Sequence, residues 1–140
     1  MNNDPKLLVV APVSVRWGDM DAFGHVNNSV FATYLEEARL RWFATIEGGW
    51  YDASAAPVVA AQSFNFRQPI EWPADIQIEL FVNRMGNSSM TIGHRIVDSQ
   101  DATRIHCDGS ITMVWIDTRS GRPVPLPQAL RDAVADATRA

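Results

Sequence analysis

Cysteine is nearly absent from this sequence, and basic residues are in the minority. The single cysteine, Cys107, excludes an internal disulfide framework and a zinc site built from thiolates, and it fits a reducing compartment. Twelve Lys and Arg against sixteen Asp and Glu give a net charge of −4. This balance argues against nucleic-acid binding, which needs a basic face. A local pair of arginines can still bind an anionic ligand on an acidic protein.

Long hydrophobic runs are also missing. No apolar run approaches the ~20 residues that span a bilayer. The run from Leu7 to Val13 is short and follows Asp4 and Lys6, so it lacks the features of a signal peptide. We therefore expect a cytoplasmic protein without a membrane segment.

The chain is small but has the composition of a globular protein. Its 140 residues are 46% hydrophobic and 20% charged, which suits a single domain with a hydrophobic core. A domain of this size leaves much surface exposed and gains stability when copies pair. We expect one domain over residues 1–140 that forms a homodimer or homotetramer.

Hydrophobic periodicity predicts a strand and then a long helix in the first third of the chain. Apolar and polar residues alternate from Val13 to Trp17, which indicates a strand, and Gly18 to Gly24 has the turn residues of a loop. Apolar residues then recur at helical spacing from Phe31 to Ile46, after the capping residues Asn27 to Ser29. The predicted helix covers roughly 18 residues and ends at Gly48–Gly49.

Four strand patterns and a short polar helix fill the rest of the chain. The strands are predicted over residues 58–67, 76–83, 90–96 and 103–117, with a hairpin turn at Gly86–Ser88 and a bulge or bend at Gly109. A helix at about 128–139 is short enough to fray. This order predicts an α+β domain in which one long helix faces an antiparallel sheet.

The stretch from Arg16 to Asn28 contains the candidate chemistry. It places Asp19, Asp21, His25 and two amides just before the long helix. A helix N-terminus has free backbone N–H groups and a partial positive charge, which can hold an oxyanion that develops on a carbonyl. A nearby carboxylate can attack the carbonyl or deprotonate a water. From spacing alone, both aspartates could instead stabilise a turn and the helix dipole.

Together with Ser29 to Arg39, this stretch closely resembles the hotdog-fold acyl-CoA thioesterases of the 4-hydroxybenzoyl-CoA thioesterase type. The shared pattern is an Asp-x-Asp loop, a Gly three residues on, His-Val-Asn-Asn, and a helix with Tyr and Glu-x-Ala-Arg. The resemblance runs from Val13 to about Asp117. It implies the hotdog fold, in which a curved antiparallel five-stranded sheet wraps a long central helix. It also implies hydrolysis of an acyl-CoA or acyl-carrier-protein thioester without a cofactor.

The resemblance implies a role for each matching position. Asp21 matches the family's catalytic carboxylate, acting as nucleophile or general base, and Asn28 matches the residue whose backbone N–H polarises the thioester carbonyl. Asp19 matches the first acid of the loop, whose role is structural. The residues expected to bind substrate are Phe23, Gly24, His25, Asn27 and Arg84.

The chain departs from the family member at the turn before the fourth strand. That member carries a basic cluster there, which grips the phosphate of the CoA nucleotide, whereas Gly86 to Ser88 is uncharged. Arg84 is the nearest substitute, and the weaker candidates are Arg67, Arg95 and Arg104. A carrier-protein thioester therefore stays open as the substrate.

Other uses of these residues are less favoured. Asp19, Asp21 and His25 on one loop are too few for a metal site, so we expect no metal. His94 and Cys107 fit buried positions in strands. The aromatic side chains expected in the core are Phe23, Phe64, Phe66 and Trp72, with Phe23 also placed to line an acyl pocket.

Two alternative functions remain open at this point. A hotdog hydratase or dehydratase usually has an Asp and a His separated by five residues, whereas Asp21 and His25 are four apart. A non-catalytic acyl-CoA-binding protein would bind without turnover. Within the thioesterase interpretation, Glu36 and His25 are the next candidates if Asp21 is not catalytic.

Overall fold

One antiparallel sheet and two helices make up residues 6–137, the part of the chain that the computed structural model describes. The strands are β1 (Lys6–Ser14), β2 (Ala55–Phe66), β3 (Asp75–Met85), β4 (Ser89–Asp98) and β5 (Ile105–Asp117). The helices are α1 (Asn28–Phe43) and α2 (Gln128–Ala137). The order across the five-stranded sheet is β1-β3-β4-β5-β2. All four neighbouring pairs are antiparallel, as predicted.

The core lies between α1 and one face of the sheet. Phe31, Leu35 and Ala38 recur at helical spacing and are at most 2% exposed. Alternate residues of the central strands meet them, among them Ile78 and Ile92, which are fully buried. The α+β arrangement predicted from the sequence, a long helix against an antiparallel sheet, is thus confirmed.

The first predicted strand is wrong in its position. The observed strand ends at Ser14, and Trp17–Asp19 forms a single 3-10 turn instead. The carboxylate of Asp19 accepts a hydrogen bond from the backbone N–H of Arg16 at 2.9 Å, which folds the chain back. Alternation in the sequence cannot reveal this bond, because it depends on a side chain outside the alternating segment.

The long helix ends earlier than Gly48–Gly49. It has 16 residues and stops at Phe43. Thr45 donates its backbone N–H and its hydroxyl to the carbonyl oxygen of Trp42, at 3.0 and 2.6 Å, which tightens the last turn. The glycines follow in a separate turn with positive φ.

The later strands lie where the alternation predicts them, with their ends shifted by a few residues. Gly109 is not a bulge, because the pairing on both sides of it is regular. It has φ +152°, and a Cβ there would collide with the carbonyl of Ser63 on the neighbouring strand. Of the helix predicted at about 128–139, residues 128–137 are observed, and 138–139 lie outside the described residues.

Three of the aromatic side chains predicted to be core are exposed. Phe23 is 86% exposed, and Phe66 and Trp72 are each 47% exposed, whereas Phe64 packs against the core. Phe66 belongs to β2, an edge strand, and Phe23 lies at the tip of a loop. Their positions at an edge and a loop explain why alternation misplaced them.

Neither helix in residues 6–137 is long and apolar enough to cross a membrane.

Candidate active site

The loop between the 3-10 turn and α1 is closed by backbone hydrogen bonds. Asn27 donates its N–H to the carbonyl oxygen of Asp19 at 3.0 Å, and Asp21 donates to His25 at 2.8 Å. Gly24 donates to the carbonyl of Asp21 at 3.1 Å and has φ +81°, a conformation that favours glycine. The loop is therefore a defined structure that holds Asp21 beside the start of α1.

Asp19 anchors this loop to the helix. Its carboxylate is buried and accepts hydrogen bonds from the hydroxyl of Tyr34 at 2.6 Å and from the backbone N–H of Arg16. The guanidinium of Arg16 adds a third bond at 3.1 Å. Burial disfavours the charged form of Asp19, but these bonds outweigh it and lower its pKa. The same contact and burial raise the pKa of Tyr34.

Asp21 lies in a more open position. It is half-buried, and its Oδ1 accepts a hydrogen bond from the N–H of Phe23 at 2.9 Å. Its Oδ2 accepts no hydrogen bond from any residue between 6 and 137. One carboxylate oxygen is thus held in a turn while the other is free to act on a ligand.

The first turn of α1 leaves one backbone donor free. Asn27 is the N-cap, and its Oδ1 accepts hydrogen bonds from the N–H and the hydroxyl of Ser29, both at 2.9 Å. Val30 donates its N–H to the carbonyl of Asn27. Within the described chain, the N–H of Asn28 has no acceptor. This donor carries the partial positive charge of the helix terminus.

Asp21 and Asn28 line one open cavity of about 490 Å³. Its remaining lining residues are Phe23, His25, Val26, Asn27, Phe31, Phe66, Arg67, Gln68 and Pro69. Gly24 belongs to the same loop without lining the cavity. The structure therefore brings the expected site residues of the loop and the helix start to one cavity, with the exception of Gly24.

Arg84 is not part of this group. Across the sheet, Phe66 at the cavity is level with Ile78 of β3, through Cys107 of β5 and Ile96 of β4. Arg84 lies six residues beyond Ile78, about 20 Å farther along the strand. Arg67, a weaker candidate in the sequence, lines the cavity and forms an ion pair with Asp108 at 3.1 Å. A turn in the sequence suggested Arg84, but the pairing of strands decides which arginine reaches the site.

Sequence reasoning also missed the apolar wall of the cavity. Phe31 and Phe66 line it with ring centroids 5.2 Å apart. Phe31 was assigned only to the apolar face of the helix, and Phe66 only to the core. Because β2 is distant in sequence from α1, no local pattern could bring these two rings together.

The remaining titratable groups near the site have structural surroundings. His25 lies 3.5 Å from Glu71, measured from Nε2 to Oε1. Cys107 is buried, which raises the pKa of its thiol to about 11 and leaves it protonated at neutral pH. Among residues 6–137, no three His, Cys, Asp or Glu side chains come close enough to hold a metal ion.

Comparison with known proteins identifies the family. The sequence profile of the thioesterase-like superfamily matches residues 15–134, a span that includes the loop, α1 and all of β2 to β5. The chain belongs to this superfamily. Its structure is accordingly a hotdog fold, and the protein is a thioester hydrolase.

Individual relatives cover almost the whole chain. A solved protein from Xanthomonas campestris with a provisional assignment as an acyl-CoA thioesterase is 52% identical, with TM-score 0.76 over 84% of this chain and 99% of that chain. A thioesterase from Thermus thermophilus, solved with coenzyme A and Zn, is 31% identical, with TM-score 0.78 over 95% and 96%. The long-chain acyl-CoA thioesterase FadM of Escherichia coli K12 is 25% identical over 122 residues, 86% of this chain and 92% of FadM.

Proposed function

We propose that this chain hydrolyses acyl-CoA thioesters in the cavity between the loop and the start of α1. The observation that carries the proposal is the pairing of two unengaged groups in one cavity, the Oδ2 of Asp21 and the N–H of Asn28. One is a nucleophile or base, and the other is a donor for an oxyanion. The Thermus thermophilus relative solved with coenzyme A supports the choice of thiol.

In the proposed reaction, the N–H of Asn28 donates a hydrogen bond to the thioester oxygen as negative charge develops there. Asp21 either attacks the carbonyl carbon directly or takes a proton from a water that attacks it. The C–S bond then breaks, and the thiolate leaves and takes a proton from solvent or from the protonated Asp21. In the direct route, a water then hydrolyses the anhydride between Asp21 and the acyl group, which releases the carboxylic acid and restores the carboxylate. Since a thiolate is a good leaving group, the site needs no strong general acid.

The phosphates of CoA require a cationic partner near the cavity mouth. Arg67 is 55% exposed at its side chain and lines the cavity, so it is the first candidate within the chain. Arg84 could contribute only from a second copy, because it lies at the opposite end of β3 in its own chain.

We also propose that the chain assembles into a homodimer or homotetramer. The edge strand β2 exposes six consecutive residues, 58–63, and its unpaired backbone groups favour pairing with another strand. Sedimentation at micromolar concentration should give at least twice the 15.6 kDa of one chain. A mass equal to one chain would contradict this.

The test of function is thiol release from a panel of acyl-CoA and acyl-carrier-protein thioesters, with two variants at the helix start. Asn28→Pro removes the N–H, and proline is tolerated at the first helical position. The preceding Asn27 already has φ −61° and ψ 136°, which suits a residue before proline. We expect turnover to fall by ~10² to 10³, the usual cost of losing an oxyanion donor.

Asn28→Ala is the matched control, since it keeps the N–H and changes only an exposed side chain. It should retain most of the turnover. Equal losses in both variants would show that the side chain, not the backbone donor, matters. Loss of enoyl-CoA double-bond absorbance without thiol release would instead identify a hydratase, and binding without either signal would identify a non-catalytic acyl-CoA-binding protein.

A further inference from the structure

One polar side chain of the catalytic cavity has no role in the proposed reaction. Gln68 lies two residues after the end of β2 and lines the cavity together with Asp21 and Asn28. Its side-chain oxygen Oε1 accepts a hydrogen bond from the Nε of Arg104 at 3.0 Å. Its Nε2 donates to no residue between 6 and 137. The amide therefore has a bonded oxygen and an unused donor.

Backbone contacts place Gln68 opposite the start of α1. The segment that follows β2 runs beside the loop before α1 and in the opposite direction. His25 lies 3.5 Å from Glu71, and Val26 donates its N–H to the carbonyl oxygen of Ile70 at 2.8 Å. Each step forward in the loop is a step back in this segment, so two more steps place Gln68 beside the first residue of α1. Segments linked in this way lie ~5 Å apart, a distance that a glutamine side chain spans.

The start of β5 fixes the backbone of Gln68. The N–H of Gln68 donates to the carbonyl oxygen of His106 at 3.3 Å, and the carbonyl oxygen of Gln68 lies 3.3 Å from the Nδ1 of the same residue. His106 is itself buried. Because Gln68 precedes Pro69, its own backbone is restricted to extended conformations. Gln68 is thus held in place although its side chain is exposed.

Arg104 fixes the direction of the amide. Arg104 lines a separate cavity of about 620 Å³, which shares Pro69 with the catalytic cavity. Since the Oε1 of Gln68 is bonded to Arg104 on that side, the Nε2 is turned towards the catalytic cavity. A hydrogen bond from a cation to the amide oxygen also polarises the amide and makes its N–H a stronger donor.

We infer that the Nε2 of Gln68 donates a second hydrogen bond to the thioester oxygen, beside the N–H of Asn28, and that Arg104 positions this amide. Glutamine and asparagine side chains serve in oxyanion holes together with backbone N–H groups. The amide keeps its proton throughout, and the charge on the oxygen returns to a carbonyl when the C–S bond breaks. The inference rests on the proposed hydrolysis, with Gln68 as a catalytic residue and Arg104 as a positioning residue.

The test measures thiol release from an acyl-CoA by two variants of Gln68. Gln68→Met keeps the length of the side chain and removes both amide groups. Gln68→Glu keeps an oxygen for Arg104 but cannot donate when ionised. Each should lower kcat at least ~10²-fold, the low end of the cost of losing an oxyanion donor, with KM within about twofold of wild type. Gln68→Glu can still pair with Arg104, so it decides the question if Gln68→Met does not fold.

The positioning role of Arg104 predicts a dependence on Gln68. Arg104→Met should lower kcat, and Arg104→Lys, which can still donate to Oε1, should restore part of it. The double variant Gln68→Met with Arg104→Met should be no slower than Gln68→Met alone, because both changes remove one interaction. Losses that multiply in the double variant would show that Arg104 acts independently and would overturn its positioning role.

A second substrate separates positioning from phosphate binding. An acyl thioester of N-acetylcysteamine has the same reacting group as the acyl-CoA and carries no phosphate. Arg104→Met should lower kcat for both thioesters by similar factors. A higher KM for the acyl-CoA alone, with kcat unchanged, would show that Arg104 binds phosphate and would overturn this part of the inference.

Two matched controls lie away from the cavity. Gln128→Met removes an amide on α2 whose Nε2 donates to Asp132 at 2.9 Å. Arg119→Met removes an exposed guanidinium beyond the opposite end of β5. Both variants should keep wild-type kcat and KM.

Failure of this inference differs from failure of the proposed function. Hydrolysis by the wild type with less than ~10²-fold loss of kcat in the Gln68 variants would overturn the inference and leave the proposed function standing. No thiol release by the wild type from either thioester would contradict the proposed function, and the inference would fall with it.

Discussion

Two carboxylates two positions apart in the loop have opposite surroundings. Asp19 is buried and accepts three hydrogen bonds, from Tyr34 and twice from Arg16, which leave neither oxygen free. Asp21 is half-buried and accepts one hydrogen bond from the chain, through Oδ1. A buried carboxylate whose two oxygens both accept hydrogen bonds from the chain is held in place and is poorly available to attack a substrate. The comparison therefore supports the proposal that Asp19 holds structure and Asp21 carries the chemistry.

The contrast follows from where each residue lies on the loop. Asp19 ends the 3-10 turn and points towards α1, where Tyr34 lies 15 residues later in the chain. Asp21 directly follows Met20, which forms an antiparallel bridge with Val26, and it lies on the side of the cavity. The 3-10 turn ends between the two acids of the Asp-x-Asp pattern. No regular element therefore fixes the direction of one side chain relative to the other.

The largest expected effect on stability is the acid sensitivity of His94, which sets in at a higher pH than that of Asp19. Burial and the charge of Arg39 lower the pKa of His94 to about 4, so the unfolded chain binds more protons than the folded one between pH 4 and 6.5. The free energy of unfolding should fall by about 3 kcal/mol as the pH falls through this window. Asp19, whose pKa is lowered from 3.8, should add its loss only below pH 4.

Denaturant unfolding at a series of pH values measures this difference. His94→Gln should reduce the fall in stability between pH 4 and 6.5, where the lowered pKa of His106 also contributes, and leave the loss below pH 4. Asp19→Asn should leave the fall between pH 4 and 6.5 and remove only its own share of the loss below pH 4, because other aspartates, among them Asp108, also have lowered pKa values. A wild-type curve that is flat from pH 7 to 4 would contradict the burial of a neutral His94.

Replacing Asp19 with Asn should cost about 2 kcal/mol of unfolding free energy. The amide has one acceptor oxygen where the carboxylate has two, and it loses the charge that Arg16 and Tyr34 face. Unfolding in denaturant measures the loss. An unchanged stability would mean that the bonds of Asp19 do not hold the loop.

Removing the hydroxyl of Tyr34 should have a smaller effect, about 1 kcal/mol, because Asp19 keeps its bonds to Arg16. Tyr34→Phe retains the ring and its packing against Phe31. We expect a modest loss of stability and a small loss of turnover. A loss of turnover as large as that of an Asp21 variant would show that Tyr34 acts in the reaction itself.

The smallest predicted effect concerns the binding of CoA. Arg67→Ala should raise KM a few-fold with little change in kcat, because it removes binding that is equal in the ground state and the transition state. Arg84→Ala should act the same way only if a second copy brings Arg84 to the cavity. An unchanged KM in both variants would favour a carrier-protein thioester.

Much of this architecture follows from the sequence because it depends on local patterns. Alternation from Ile76 to Leu80 and helical spacing from Phe31 to Trp42 identify the layers, and the amide side chains before α1 identify its start. Asp21 and Asn28 could be predicted as site residues because the loop and the helix start are adjacent in the chain and together match a family motif, whereas spacing alone left the two aspartates undistinguished.

The features that could not be predicted from the sequence depend on contacts between residues that are far apart in the chain. The registry of β2 with β5 brings Phe66 and Arg67 to the cavity, and the hydrogen bond between Tyr34 and Asp19 crosses from helix to loop. The distance of Arg84 from the cavity is set by the pairing of strands in the same way. Periodicity carries no information about any of them.

The division of roles between the two aspartates is tested most directly by the turnover of Asp21→Asn on an acyl-CoA, with unfolding free energy measured on the same sample. Asp21→Asn keeps the shape of the side chain and its hydrogen bond to Phe23 but removes the charged oxygen. Asp52→Asn is the control, because Asp52 also accepts backbone N–H bonds in an exposed turn, at a site remote from the cavity. We predict that Asp21→Asn lowers turnover at least ~10²-fold at unchanged stability, with Asp52→Asn close to wild type in turnover. Near wild-type turnover in Asp21→Asn would contradict the account.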